Sequence, residues 1–85
     1  MRTFMYTITV PVGMHARHAG LLVREAQKYQ SEIRFTLGDR TADGKRIMAV
    51  MTLGAKQGDL IKTEIEGPDE DLAASKLKGV FFEHF

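Results

Sequence analysis

Near the start of the chain, Phe4, Tyr6, Ile8 and Val10 alternate with Thr3, Met5, Thr7 and Thr9, a period of two that predicts a half-buried strand. Pro11-Val12-Gly13 breaks it. From about His15 to Tyr29 the period lengthens. Ala19, Leu22, Val23 and Ala26 recur at i, i+3, i+4 and i+7 as one buried helical face, with Arg24, Gln27 and Lys28 on the wet side. Ile33, Phe35 and Leu37 alternate with Arg34 and Thr36 as a second strand. Gly38-Asp39 signals a turn, and Arg40 to Asp43 supplies a short third strand closing a hairpin. The apolar run Ile47 to Leu53, ended by Gly54, is too short for periodicity to separate helix from strand. Leu60 to Glu66 reads as a strand with Ile61, Thr63 and Ile65 on one face. Gly67-Pro68-Asp69 opens a last helix expected to turn Leu72, Ala73, Leu77, Val80 and Phe81 inward, with Asp69, Glu70 and Asp71 near its positive N-terminus.

The order βαββαβα, with half-polar strands, predicts an α+β fold: one antiparallel sheet with helices on one face and water on the other. The wet face accounts for Thr7, Thr9, Arg34, Lys62 and Glu64. A length of 85 residues makes residues 1–85 a single expected domain and excludes an enzyme with an interdomain cleft. The absence of cysteine excludes disulfides, thiolate zinc sites, iron–sulfur clusters and thiol nucleophiles. With 12 Lys+Arg against 11 Asp+Glu, the charge of +1 argues against a nucleic-acid binder. No segment approaches the ~18 apolar residues of a membrane span, and the first residues lack the apolar stretch of a signal peptide. The expectation is a cytoplasmic protein without membrane insertion.

Candidate chemistry sits in Gly13-Met14-His15-Ala16-Arg17-His18-Ala19, where the first strand hands over to the first helix. His15 precedes the apolar periodicity and so falls at or near the helix N-cap. Helix N-termini expose unpaired N–H donors and partial positive charge, which suits a phosphate. Neutral imidazole is nucleophilic, and Arg17, two residues on, can set a guanidinium against phosphate oxygens. Nucleophile, backbone donors and cation together fit phosphoryl transfer through a histidine. On these residues alone, an incidental surface histidine at a helix start remains equally open. A metal reading also exists, because His15 and His18 at i, i+3 can share an ion. Without cysteine, and with His84 in the last helix showing no evident approach, no metal or cofactor is expected. His18 reads as a polar surface residue.

Gly13-Met14-His15-Ala16-Arg17, followed by Ala19-Gly20-Leu21-Leu22-Val23, resembles the active-site segment of the HPr family of histidine-containing phosphocarriers. Lys45-Arg46-Ile47-Met48-Ala49-Val50-Met51-Thr52-Leu53-Gly54 resembles the family's second signature. The match continues through Gly58-Asp59 and Gly67-Pro68-Asp69-Glu70 into the final helix, covering nearly the whole chain. The resemblance implies the HPr-like open-faced β-sandwich, a four-stranded antiparallel sheet with three helices on one face. It implies a phosphocarrier, not an enzyme with its own turnover, acting as a monomer. His15 would take a phosphoryl group on Nδ1 from phosphorylated enzyme I and pass it to a histidine of an enzyme IIA. Arg17 would support that group, and the backbone N–H groups of Ala16 and Arg17 would bind its oxygens. A short helix from Ile47 would dock both partners through Ile47, Met48 and Met51, together with Met14, Gly20 and Leu21, leaving Val50 inward. Unbranched methionines suit a surface that must fit more than one partner. The rival readings are a paralogue in a regulatory (nitrogen-type or dihydroxyacetone-type) branch, and a non-phosphorylated adaptor, which the presence of both His15 and Arg17 disfavours.

Three departures from the family pattern stand out. His18 replaces the usual proline, restoring an N–H and adding an imidazole about one turn from His15; it is expected to tune the phosphorylated state without carrying phosphate. Val12 replaces a short polar residue, so capping falls to His15 or solvent. Arg46 occupies the position of the serine that a dedicated HPr kinase modifies in many Gram-positive bacteria, and arginine offers that kinase no hydroxyl. Arg17, Lys45 and Arg46 are expected to gather positive charge at the site.

Overall fold

The computed structural model describes residues 1–85. Its elements are β1 (Arg2–Thr7), α1 (Ala16–Ala26), β2 (Glu32–Leu37), β3 (Arg40–Asp43), α2 (Ile47–Thr52), β4 (Leu60–Glu66) and α3 (Glu70–His84). The four strands form one antiparallel sheet in the order β1-β4-β2-β3, and the helices cover one face as an open sandwich. Alternation sets the register. One inward row runs Phe4, Thr63, Phe35, Ala42 across all four strands, and Ile33 faces Ile65 in the neighbouring row. Ala19, Leu22, Val23 and Ala26 of α1 are all buried against this face. No helix is long and apolar enough to cross a membrane.

The short apolar run that periodicity leaves undecided is helical, with Val50 fully buried. Two other expectations need correction. β1 ends at Thr7, because the N–H groups of Thr9 and Val10 both donate to the main-chain oxygen of Phe85 and not to a strand. Leu72 is 55% exposed, and Ala74 takes its place in the core beside Ala73, Leu77 and Phe81. Leu72 lies five residues before Leu77, which at about 100° per residue sets it roughly 140° round the helix from the buried stripe.

Thr63 sits at the centre of the inward row, fully buried, and its hydroxyl has no hydrogen-bond partner. An unsatisfied buried hydroxyl costs about 1–3 kcal/mol. Thr63→Val should therefore stabilise the protein by about 1 kcal/mol, read as a higher urea midpoint with unchanged slope. A lower midpoint would mean that the hydroxyl finds a partner in solution.

The α3 N-terminus is tied to the start of β2 by Asp69. Its carboxylate accepts from the Ser31 hydroxyl and from the N–H groups of Ser31 and Gln30, turning away from its own helix, for which it makes no side-chain cap. Those bonds, the Ser31 hydroxyl first, hold the Asp69 carboxyl below its ordinary value of 3.8. A lowered folded-state pKa contributes stability that is complete above the unfolded value and lost as pH falls through the folded one. Thermal melts should accordingly lose stability below about pH 4, and Asp69→Asn should flatten part of that acid limb. An unchanged limb in the variant would assign the acid sensitivity to other carboxylates.

Candidate functional site

The route to the site starts at Gly13. Its φ is +67°, a conformation that glycine adopts without steric cost. A Cβ there would lie 2.5 Å from the Ala55 carbonyl oxygen, so the segment before α1 packs directly on the segment after α2. The Met14 N–H donates to the same Ala55 oxygen at 2.9 Å, and the Met14 side chain enters the core, 5% exposed. Met14 is thus no part of an exposed docking surface. It is the anchor beneath the surface, because the Gly13 turn aims it inward.

His15 emerges from this anchor as the N-cap of α1, exposed, with extended backbone (φ −97°, ψ −179°). Its Nδ1 accepts the Arg17 N–H at 3.2 Å, supplying the cap that Val12 cannot. Its Nε2 lies 2.9 Å from Nδ1 of His18, with the two rings perpendicular and their centroids 4.4 Å apart. His18 is half-buried, not a free surface side chain, and its far side rests on the ring of the buried Phe85 at 5.3 Å. That partial burial, then the positive potential of His15, Arg17 and His84, lowers the His18 pKa from 6.5. No group of three His, Cys, Asp or Glu side chains converges to hold a metal. Phe85 could not be linked to His18 from sequence, since the contact joins residues far apart in the chain and leaves no local pattern.

Arg17 is exposed and forms no ion pair, which leaves its guanidinium available to an incoming anion. The expected gathering of cations is only partial. Lys45 Nζ donates to the Tyr29 carbonyl oxygen at 2.6 Å, beyond the C-terminal end of α1. An 11-residue helix separates it from His15, about 16 Å at 1.5 Å per residue. This contact removes Lys45 from the phosphate-binding end. Arg46 stays with the first turn of α2, exposed and without a side-chain cap bond.

Where α1 meets α2 lies an apolar face. Ile47 is 41% and Met48 71% exposed, while Gly20, Leu21, Ala49 and Met51 are half-buried. A Cβ on Gly20 would stand 3.8 Å from Ile47 Cδ1, an ordinary van der Waals separation that places Gly20 of α1 next to the first residue of α2. Val12, 63% exposed in the loop leading to His15, offers no cap but adds apolar surface.

Residues 3–82 match a family model described as "PTS HPr component phosphorylation site". The chain is 38% identical, over 79 residues (93% of this chain and 89% of the relative), to the phosphocarrier protein HPr of Xylella fastidiosa. Among solved structures, the histidine-containing phosphocarrier protein of Mycoplasma superposes with a TM-score of 0.94 at 34% identity, covering 96% of this chain and 93% of that one. An HPr dimer from Thermoanaerobacter tengcongensis gives 0.78 at 33% identity, covering 92% and 94%.

Proposed function

The chain belongs to the HPr family, phosphocarriers of the phosphotransferase system that are not themselves catalytic enzymes, and from that premise we propose that His15 takes a phosphoryl group from phospho-enzyme I on Nδ1 and delivers it to a histidine of an enzyme IIA. The observation that carries this reading is the engagement of His15 Nδ1 by the Arg17 N–H. That bond holds Nδ1 as a lone-pair atom at the positive end of a helix. When the nitrogen bonds phosphorus, the N–H groups of Ala16 and Arg17 turn to the phosphoryl oxygens, in the field of the α1 N-terminus. Arg17 adds a charge-assisted contact with no competing carboxylate. Donor and acceptor dock in turn on Ile47, Met48 and Met51, flanked by Gly20 and Leu21. A small adaptable surface used by two partners favours weak, quickly released complexes.

Incubation with phosphoenolpyruvate and enzyme I, followed by intact mass, tests the reading. The expected result is an acid-labile gain of one phosphate mapped to His15, discharged on adding an enzyme IIA. No such gain overturns it. Charging by enzyme I followed by discharge only to a regulatory acceptor would instead assign the protein to a nitrogen-type or dihydroxyacetone-type branch. Work in the cytoplasm as a monomer is part of the same reading, and sedimentation of the charged protein checks its oligomeric state.

A further inference from the structure

The pairing of His15 with His18 fixes where the protons sit. The Arg17 N–H is a donor and nothing else, so His15 Nδ1 must be the acceptor. A neutral His15 then carries its proton on Nε2, and the only group 2.9 Å away that can receive it is Nδ1 of His18. His18 in turn must be neutral and protonated on Nε2. One unambiguous backbone donor thereby sets the tautomers of both rings.

We propose that His18 is a positioning residue and proton acceptor for His15: it holds the tautomer that leaves Nδ1 nucleophilic and takes the Nε2 proton when Nδ1 is phosphorylated. The inference rests on the carrier reading above. In the charging step the Nδ1 lone pair forms the bond to phosphorus, and the bond from phosphorus to the donor atom breaks with its electron pair leaving on the donor. The His15 ring still holds its Nε2 proton and so becomes a cation. That proton moves along the existing hydrogen bond to His18 Nδ1, leaving a neutral phosphoimidazole and a protonated His18. In the discharging step the proton returns to Nε2, so that His15 departs from phosphorus as a neutral imidazole and not as an anion.

The surroundings of His18 switch sign between the two states. Before charging, the groups acting on it are His15 and Arg17 on its own helix and His84 from α3, the last with the Glu83 carboxylate 3.6 Å away, while the Phe85 ring packs against it. These surroundings keep His18 unprotonated and ready to accept. After charging, a phosphoryl dianion stands one imidazole away and favours the cation. A neutral phosphoimidazole is the poorer leaving group, so proton uptake by His18 protects the phosphorylated state from water until an acceptor docks.

Three measurements test this on the full chain. Long-range proton–nitrogen correlation of nitrogen-15 histidine-labelled protein should place the His15 proton on Nε2 before charging, with no partner protein involved. After charging with phosphoenolpyruvate and enzyme I, the titration midpoint of His18 should rise by at least about one pH unit, a tenfold change in proton affinity. Glutamine at position 18 can accept the Nε2 hydrogen bond through its amide oxygen but cannot take the proton. Charged His18→Gln should therefore lose phosphate about tenfold faster near neutral pH and lack the wild-type inflection. A His15 proton on Nδ1, an unmoved His18 midpoint, or a wild-type hydrolysis profile in His18→Gln would each overturn the proposal. Failure of enzyme I to charge the protein would instead remove the carrier reading, and the tautomer measurement separates the two.

Discussion

His15→Asn is expected to abolish phosphoryl acceptance while leaving thermal stability nearly unchanged, whereas His15→Ala should lose acceptance and about 1 kcal/mol of stability. The difference follows from the two jobs His15 performs. Its Nδ1 is the proposed acceptor and also the cap of α1, bonded to the Arg17 N–H. Asparagine places an amide oxygen at the same branch point as Nδ1 and is among the strongest N-cap residues, so the cap survives. An amide oxygen is no substitute for the imidazole nucleophile, so the mass gain after incubation with enzyme I and phosphoenolpyruvate should vanish entirely. Alanine offers neither atom. In a domain of this size about 1 kcal/mol lowers Tm by roughly 4–8 °C, which a melting curve resolves easily. Acid-labile phosphate on the asparagine variant, at His18 for instance, would relocate the acceptor. Equal melting losses for the two variants would show that the cap bond contributes nothing.

The same dual role explains which parts of the site can be read from the sequence. The position of His15 follows from a local rule, the change of period after Gly13, and the buried face of α1 follows from spacing alone. β3 and β4 are legible for the same reason: Gly38-Asp39 and strict alternation are local signals. What failed depended on contacts distant in sequence. Met14 is apolar and next to His15, and only the close approach of Gly13 to Ala55 decides that it points inward. Lys45 adjoins the docking helix in sequence, yet the Tyr29 carbonyl draws it to the far end of α1. The end of β1 is set by Phe85, whose oxygen captures two N–H groups that alternation assigns to the sheet. α2 is a different case. Its six residues carry too little periodicity to identify a helix, and the resemblance to a family supplied what pattern could not.

Phe81→Ala should be the most damaging change in the core, costing about 3–5 kcal/mol. Phe81 is fully buried, and its ring meets Phe4 at 5.8 Å, Tyr6 at 5.2 Å, Phe35 at 6.0 Å and Phe85 at 5.3 Å. These four neighbours come from β1, β2 and the end of the chain, so the vacated space cannot be filled by shifting one element. Edge-on aromatic pairs add about 0.5–1.5 kcal/mol each beyond their burial. Against a total stability of about 4–13 kcal/mol for a chain of this length, the loss removes a large share of the margin and should show as a urea midpoint lowered with little change in slope. The damage should also reach the site. Phe85 packs on Phe81 and supports the outer side of the His18 ring, while its main-chain oxygen holds Thr9 and Val10 at the entry to the Gly13 turn. The variant, studied at low temperature where it remains folded, should therefore show a faster-moving His18 ring and weakened protection of the Thr9 and Val10 amides from exchange. A cost below about 1.5 kcal/mol would mean that the surrounding rings collapse into the cavity. Unchanged His18 and amide signals would mean that the aromatic cluster and the phosphoryl site are mechanically independent.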